Sequence, residues 1–280
     1  MNHKLFLGAA CALLLSACAT GPQTPVIRHD YVSQNQDSRS LFIVLHYTVL
    51  DWEKSLKVLT TGGQVSAHYL VREEPAEIYQ LVDENRRSWH AGASYWAGNQ
   101  NLNSSSIGIE IVNAGWVDTP GGRVYAPFPQ KQIEEVIKLV RDIQKRHNVK
   151  PERIIGHADI APGRKQDPGP MFPWKQLHEA GLIPWPDPVQ VAARKTAYEA
   201  VPADIGWAQD RLGRYGFNIA RSGQPDKLTS DAIATFQMKY RPADYGGVLD
   251  AETAALIDVA TTPGGMLMAP APAPTGTGKP

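Results

Sequence analysis

The chain has 280 residues, a length that allows one domain of medium size and a smaller second one. Its 28 basic residues balance its 28 acidic residues, so no field attracts nucleic acid or an anionic membrane surface, and a nucleic-acid partner is not expected. Cys11 and Cys18 are its two cysteines, which excludes a disulfide-rich scaffold.

The chain begins with the pattern of an export signal. Lys4 precedes an apolar run from Leu5 to Leu15 that is too short to span a membrane. The next residues, Ser16-Ala17-Cys18, complete a segment that resembles the lipobox of bacterial lipoproteins. We therefore predict a signal peptide over residues 1–17 and lipidation of Cys18. The alternative is an ordinary signal cleaved after a small residue, with Cys18 uninvolved.

A polar segment follows the predicted signal. Residues 18–40 contain two prolines between Thr20 and Ser40 and are predicted to form a tether. Ala19, in place of an aspartate, resembles the pattern of lipoproteins sorted to an outer membrane. Cys11 would leave with the signal, so the mature domain would contain no disulfide. We expect an outer-membrane lipoprotein that faces the periplasm of a bacterial cell envelope and is attached by lipid, not by charge.

Strand and helix patterns alternate from Leu41 onward. Leu41–Val49 is continuously apolar, which is typical of a strand covered on both faces. Asp51 can cap a helix that follows it, because Trp52, Leu56 and Leu59 fall on one helical face. The segments Ser66–Arg72 and Glu77–Val82 are predicted strands around a turn.

The clearest helix in the chain begins at Pro129 and ends near His147. Its apolar residues follow helical spacing with charged residues opposite: Ile133, Ile137, Val140 and Ile143. Ile107–Val112 before this helix and Arg153–Gly156 after it are predicted strands. The alternation predicts an α/β domain over residues 41–186, and it does not give the order of the strands.

A loop rich in titratable side chains follows Arg153–Gly156. It presents His157, Asp159, Lys165 and Asp167 within a few residues, and prolines and glycines fix its path. Imidazole and carboxylate groups bind Zn²⁺, and a catalytic zinc uses three protein ligands and one open position. The loop supplies two ligands, and His46 is the best candidate for the third. Such residues also occur by chance, so spacing alone leaves the metal site open.

A second unit is predicted over residues 189–260. Its apolar residues indicate three short helices, around 205–212, 233–237 and 254–257. The segments 210–216, 229–237 and 247–253 resemble the three-helix peptidoglycan-binding domain. The alternative is a helical cap without a ligand. Residues 261–280 are rich in proline, glycine, alanine and threonine and are predicted to be a disordered tail.

Five motifs occur in an order that resembles the zinc N-acetylmuramoyl-L-alanine amidases of the type-2 amidase and peptidoglycan-recognition-protein family. They lie at residues 45–48 (LHYT), 66–69 (SAHY), 89–92 (WHAG), 106–110 (SIGIE), and 156–157 with 165–168 (GH and KQDP). The resemblance spans about residues 27–185. It implies a mixed central sheet flanked by helices, and one Zn²⁺ per chain with His46, His157 and Asp167 as its ligands.

The resemblance also implies two catalytic side chains. Glu110 would move a proton from the attacking water to the leaving nitrogen, and Lys165 would stabilise the oxyanion. Taken alone, Glu110 could equally be a solvated strand residue, and Lys165 a surface lysine. Some relatives carry a catalytic tyrosine where this chain has Ala67. Proton transfer by a tyrosine is therefore unavailable, which makes Glu110 more necessary.

Three residues of the motifs are candidates for contacting substrate: His68, His90 and Trp89. The histidines would line a substrate groove, or they are satisfied histidines packed near it. Trp89 suits a sugar or peptide platform, although a core aromatic has the same pattern. Asp159 could orient His157 or cap the loop.

The resemblance thus implies a zinc amidase that cleaves peptidoglycan or muropeptides between N-acetylmuramic acid and L-alanine. A monomer is expected. Two alternatives stay open: a recognition protein that binds peptidoglycan without cleaving it, and an amidase restricted to anhydro-muropeptides.

Overall fold

The computed structural model describes residues 24–270, so the predicted signal peptide and Cys18 lie outside the described residues. Residues 24–36 are exposed chain without helix or strand and belong to a unit separate from the rest. Within the described range, no helix combines the length and apolar character needed to cross a membrane.

The remaining residues form short strands and helices of varied length. In chain order the strands are β1 (Phe42–Tyr47), β2 (Tyr69–Val71), β3 (Ile78–Gln80), β4 (Tyr95–Trp96), β5 (Asn99–Gln100), β6 (Ser106–Ile111), β7 (Trp116–Thr119), β8 (Gly122–Tyr125), β9 (Ile154–Gly156), β10 (Trp185–Pro186) and β11 (Met266–Leu267). The helices are α1 (Trp52–Thr60), α2 (Gln130–His147), α3 (His157–Ile160), α4 (Trp174–Glu179), α5 (Pro188–Ala200), α6 (Ile205–Tyr215), α7 (Lys227–Tyr240) and α8 (Ala251–Ala260).

The central sheet has the order β3-β2-β6-β1-β9. Strands β2, β6, β1 and β9 are parallel, and β3 is antiparallel to β2. The sheet is therefore mixed, which confirms the predicted fold class. In the register, His46 at the end of β1 lies beside Glu110 on β6, and β9 ends at Gly156, one residue before His157. Because carboxyl ends of parallel strands share one edge of a sheet, this edge collects the chemically active side chains.

Strand β1 is covered on both faces, as its continuous apolar sequence predicts. Ile43 and Leu45 pack in one buried cluster with the apolar face of α2, whereas Phe42 and Val44 pack in a second cluster. That second cluster contains residues from the C-terminal helices, among them Leu212 of α6 and Phe236 of α7. The C-terminal helices thus share a core with the sheet. The domain limits given above stay predictions.

Helices α1 and α2 follow the sequence patterns closely. The Asp51 side chain accepts the Lys54 N–H at 2.9 Å and caps α1. Helix α2 follows Pro129 and ends at His147, and the next residue, Asn148, has a φ of 53°, the left-handed conformation common after helix ends. Both helices were predicted because their apolar spacing is regular.

Other elements differ from the predictions. The C-terminal region contains a fourth helix, α5, whose range Pro188–Ala200 includes no fully buried residue, so it lacked a periodic apolar face. Its start signals, the Asp187 cap and Pro188, were present in the sequence. The residues after β9 begin as the helical turn α3, not directly as a loop.

The predicted tail is also partly wrong. Strand β11 pairs antiparallel with β10, through Met266 to Pro186 and Leu267 to Trp185. This part of the chain is therefore a strand packed against the domain. Residues 271–280 lie outside the described range.

Candidate metal centre and the cleft around it

His46, His157 and Asp167 meet at one point at the carboxyl edge of the sheet. The two histidine Nδ1 atoms lie 2.9 Å apart, and Asp167 Oδ2 lies 2.9 Å from the first and 3.0 Å from the second. All three residues are buried and form a group that could hold a metal ion. The backbone fixes the group, because the Ala158 N–H donates to the Asp167 carbonyl at 2.8 Å.

A chain of hydrogen bonds determines where the proton on His46 lies. The Ser106 hydroxyl donates to the Leu102 carbonyl at 2.5 Å, so its oxygen accepts from His90 Nε2 at 3.1 Å. His90 Nδ1 is then an acceptor, and His46 Nε2–H donates a hydrogen bond to it at 2.9 Å. His46 Nδ1 is left with a bare lone pair that points at His157 and Asp167.

His157 is held in the same tautomer by a different group. Its Nε2 lies 3.1 Å from the Ala91 carbonyl, which can only accept, so Nε2 carries a proton and the neutral ring has its bare nitrogen at Nδ1. Asn103 Oδ1 accepts the backbone N–H groups of His90 and Ala91 at 3.0 and 2.7 Å and fixes this segment. The motif at residues 89–92 therefore orients both histidines of the metal group.

The charge state of the group suits a divalent cation. Burial, and then His157, lower the pKa of His46 to about 4, so its imidazole is neutral at pH 7. Burial alone would raise the pKa of Asp167, but the two histidines outweigh it and hold that pKa below its usual range. Two imidazole nitrogens and a carboxylate oxygen then face one point. Tetrahedral zinc with bonds of about 2.0–2.1 Å has ligand atoms about 3.3 Å apart, so the group fits with small adjustments.

Glu110 lies at the edge of the metal group. Its Oε1 is 4.0 Å from His46 Nδ1, and within residues 24–270 its buried Oε2 has no hydrogen-bond partner. Burial, and then the charge of Asp167, raise the pKa of Glu110 to about 8. A partly buried carboxyl group with one unpaired oxygen and a pKa near neutrality is typical of a general acid or base.

Glu110, His157 and Asp167 border a cleft of about 370 Å³. Arg164, Lys165 and Asp167 supply charged groups in its lining. Trp89, which is 53% exposed, and Trp116 supply aromatic surface. The cleft thus places the metal group and a carboxyl group beside exposed aromatic surface. Lys165 and Trp89 are placed where the predicted roles require, and those roles stay predictions.

The structure corrects the expected substrate contact of His68. The ring is 1% exposed and does not line the cleft. Its Nε2 donates to the Arg86 carbonyl at 3.1 Å, while its Nδ1 lies 2.8 Å from Ser88 Oγ and accepts the Gly108 N–H at 3.0 Å. His68 is the satisfied histidine of the alternative interpretation.

His90 needs a correction of a different kind. It borders the cleft, but both ring nitrogens are engaged, with His46 and Ser106, so it has no free polar atom for substrate. Its role is to orient His46. Asp159 caps α3 by accepting the Gly156 N–H at 2.8 Å, which is the second of its two predicted roles.

The motif at residues 106–110 contains two residues whose roles were not predicted from the sequence. Ser106 anchors His90, and a Cβ on Gly108 would lie 2.4 Å from the His90 ring. Only glycine lets the ring lie over β6. Ser106 and Gly108 are visible in the sequence motif, but their roles could not be inferred without the position of the His90 ring.

Two family models match the sequence. Residues 11–170 match the model described as N-acetylmuramoyl-L-alanine amidase. Residues 202–257 match a model described as a peptidoglycan binding domain. The first match covers more than half of the chain and includes the whole metal group.

Known proteins resemble the chain over 82–91% of its length. The chain is 41% identical to the N-acetylmuramoyl-L-alanine amidase AmiD of Escherichia coli K12, over 91% of this chain and 96% of that protein. The structure of AmiD from E. coli in complex with anhydro-N-acetylmuramic acid-L-Ala-D-γ-Glu-L-Lys matches with a TM-score of 0.73 and 40% identity, over 82% of this chain and 91% of that one. The crystal structure of AmpDh3 from Pseudomonas aeruginosa with anhydromuramic pentapeptide matches with a TM-score of 0.76 and 37% identity, over 84% and 97%.

Proposed function

The chain belongs to the N-acetylmuramoyl-L-alanine amidase family, and we propose that it hydrolyses the amide bond between N-acetylmuramic acid and L-alanine in peptidoglycan and its fragments. The observation that carries the proposal is the meeting of His46 Nδ1, His157 Nδ1 and Asp167 Oδ2 within 3.0 Å of one another. Relatives bound to anhydromuropeptides support the class of substrate.

His46, His157 and Asp167 would hold one Zn²⁺. When bound, zinc supplies a Lewis acid that polarises the amide carbonyl and acidifies water. The protein side chains supply the rest of the chemistry. His90 and the Ala91 carbonyl keep both imidazoles in the tautomer that leaves Nδ1 free for a metal.

Glu110 would transfer the proton that amide hydrolysis has to move. Its free Oε2 can accept a proton from the attacking water and give it to the nitrogen that leaves. An amine is a poor leaving group until it is protonated, so one carboxyl group acting first as base and then as acid serves both steps. The raised pKa makes the ionised form of Glu110 a stronger base than an exposed carboxylate.

Lys165 and Arg164 would bind the negative charge that develops on the carbonyl oxygen. Both line the cleft, and Lys165 lies close enough to lower the pKa of Glu110 and of His46. Arg164 is braced, because it donates to the carbonyls of Ala91 and Ala93 at 3.1 and 2.6 Å. Lys165 is therefore the better candidate for the oxyanion.

The test is digestion of two substrates with identification of the fragments by mass spectrometry. The zinc-loaded protein is incubated with polymeric peptidoglycan and, separately, with anhydro-muropeptides. We expect free stem peptides that begin with L-alanine, and no such peptides after chelation. Products from anhydro-muropeptides alone would support the restricted amidase. Binding to the wall without release of peptide would support the recognition protein and contradict the proposal.

The proposed location is the outer membrane, through a lipid at Cys18, a residue outside the described range. The support is the lipobox pattern in the sequence and the exposed, irregular chain at residues 24–36, which suits a tether. Replacing Cys18 by alanine should move the protein from the membrane fraction to the soluble periplasm. Unchanged membrane association would contradict the lipid anchor. The proposed monomer should elute with the mass of a single chain in light scattering.

A further inference from the structure

Lys239 is a buried cation that the proposed reaction does not use. It lies on α7 and is 7% exposed. Its ammonium lies 3.8 Å from Asp159 Oδ2 and 4.4 Å from the centre of the Trp174 ring. Burial lowers the pKa of Lys239, while Asp159 opposes that change. A buried lysine is unfavourable unless a specific partner compensates it, so these contacts need an explanation.

The partner of Lys239 holds the turn that carries a metal-group histidine. Asp159 Oδ2, the oxygen that faces Lys239, also accepts the Gly156 N–H at 2.8 Å. This bond closes the start of α3, whose first residue is His157. The turn has four residues and little hydrogen bonding of its own, so its position depends on what surrounds it.

Helix α7 packs against the segment between His157 and Asp167 at two places. Ile160 of α3 belongs to the buried cluster that contains Ile233 and Phe236 of α7. Further along, a Cβ on Gly163 would lie 2.1 Å from Asp231 Oδ2, so α7 is also in close contact with the loop. Helix α7 is therefore part of the support of the metal group.

We propose that Lys239 is a positioning residue for the metal group: through Asp159 it fixes the turn that presents His157. This inference rests on the proposed function, because it takes His157 as a zinc ligand. The C-terminal helices would then have a second role besides any contact with the cell wall. They would complete the site in which the amide is cleaved.

The test uses Lys239→Met in the full chain, which removes the charge and keeps the apolar stem. The matched control is Lys138→Met, which removes an exposed lysine that lies 2.7 Å from Glu135. The dissociation constant for Zn²⁺ is measured by competition with a chromogenic chelator, at a temperature where circular dichroism shows every variant folded. Because residues that support metal ligands change affinity by about 10–100-fold, Lys239→Met should raise the constant at least about tenfold. Lys138→Met should leave it unchanged.

A second pair of variants tests the route through Asp159. Asp159→Asn keeps an oxygen for the Gly156 N–H and removes the charge that faces Lys239. We expect a raised zinc dissociation constant in Asp159→Asn, and little further increase when Lys239→Met is added. Should Lys239→Met alone not fold, Asp159→Asn carries the test. A wild-type constant in either single variant, or fully additive effects in the double variant, would overturn the inference. Absence of zinc binding by the wild-type protein would instead overturn the proposed function.

Discussion

Glu110 lines the cleft without belonging to the group of three metal-binding candidates. Its side chain is 15% exposed, and its buried Oε2 has no hydrogen-bond partner among residues 24–270. The backbone register explains its position, because β6 places Glu110 next to His46 across a parallel pair. A residue placed in this way can act on substrate without being a metal ligand.

The first prediction concerns Glu110→Gln. Glutamine has nearly the same shape but cannot exchange the proton, so kcat on a soluble muropeptide should fall at least about 10²-fold. Zinc content, measured by mass spectrometry of the intact metal-bound protein, should stay at one ion per chain. Activity within a factor of about two of the wild type would show that another group moves the proton.

The motifs contain two histidines outside the metal group, and their roles could not be predicted from the sequence. His68 and His90 stand in similar motifs, and both were expected at a substrate groove. In three dimensions His90 supports His46, whereas His68 is bonded to Arg86, Ser88 and Gly108. The difference depends on where each ring lies relative to β6, and that is set by contacts distant in sequence.

At the scale of elements, β6 connects the sheet to the metal group. Ser106, Gly108 and Glu110 occupy every second position of β6. Ser106 anchors His90, Gly108 leaves space for its ring, and Glu110 carries the proposed proton transfer. Side chains two residues apart on a strand lie on the same face, so all three residues of β6 face the metal group.

The second prediction concerns Gly108→Ala. The added methyl group would lie 2.4–2.6 Å from the His90 ring, so the ring has to move and His46 Nε2 loses its acceptor. We expect weaker zinc binding, and a free energy of unfolding that is lower by about 1–3 kcal/mol in urea titrations. Gly213→Ala in α6 is the control, because a Cβ there meets no atom within 4 Å. Equal zinc affinity in both variants would argue against the hydrogen-bonded chain through His90.

Elements with a regular pattern were predictable, and elements held by tertiary contacts were not. Strand β1 and helix α2 repeat apolar residues at the expected spacing, so they were predicted to within a few residues. Helix α5 and strand β11 have no such repeat. Helix α5 packs on α8, with Tyr198 donating to Asp258 at 3.1 Å, and β11 depends on β10. The motif residues His46, His157 and Asp167 were predicted from family resemblance, because spacing alone left them open.

A partly buried cluster around Glu84 joins parts of the chain that are distant in sequence. Its carboxylate accepts from Tyr69 of β2 at 2.7 Å and pairs with Arg146 and His147 at the end of α2. His147 also bonds Ser38, near the start of the domain, at 2.7 Å. The cluster therefore ties the sheet, the long helix and the beginning of the domain together.

The third prediction is a pH dependence of stability. Burial alone would raise the pKa of Glu84, but Arg146, His147 and Tyr69 lower it from 4.5 to about 2. A folded pKa below the unfolded one adds stability above pH 4.5, which is lost as the pH falls toward 2. Glu84→Gln should lower the free energy of unfolding at pH 7 by about 2 kcal/mol, less than the full shift implies because the cluster borders solvent.

The difference between wild type and Glu84→Gln should shrink as the pH is lowered from about 5 to about 2, in urea titrations at each pH. Asp142→Asn is the control, because Asp142 pairs with the same Arg146 at 2.8 Å but is 60% exposed. Exposed pairs contribute at most about 1 kcal/mol. A constant difference across this pH range would show that Glu84 contributes by packing and not by its charge.

The central claim is that three atoms, from strand β1, helical turn α3 and the loop after it, hold one zinc ion. Diffraction from crystals of the zinc-loaded protein, recorded on both sides of the zinc absorption edge, tests it most directly. We predict one anomalous peak bonded to His46 Nδ1, His157 Nδ1 and Asp167 Oδ2, at about 2.0–2.2 Å from each. A peak elsewhere, or histidines bound through Nε2, would contradict the claim.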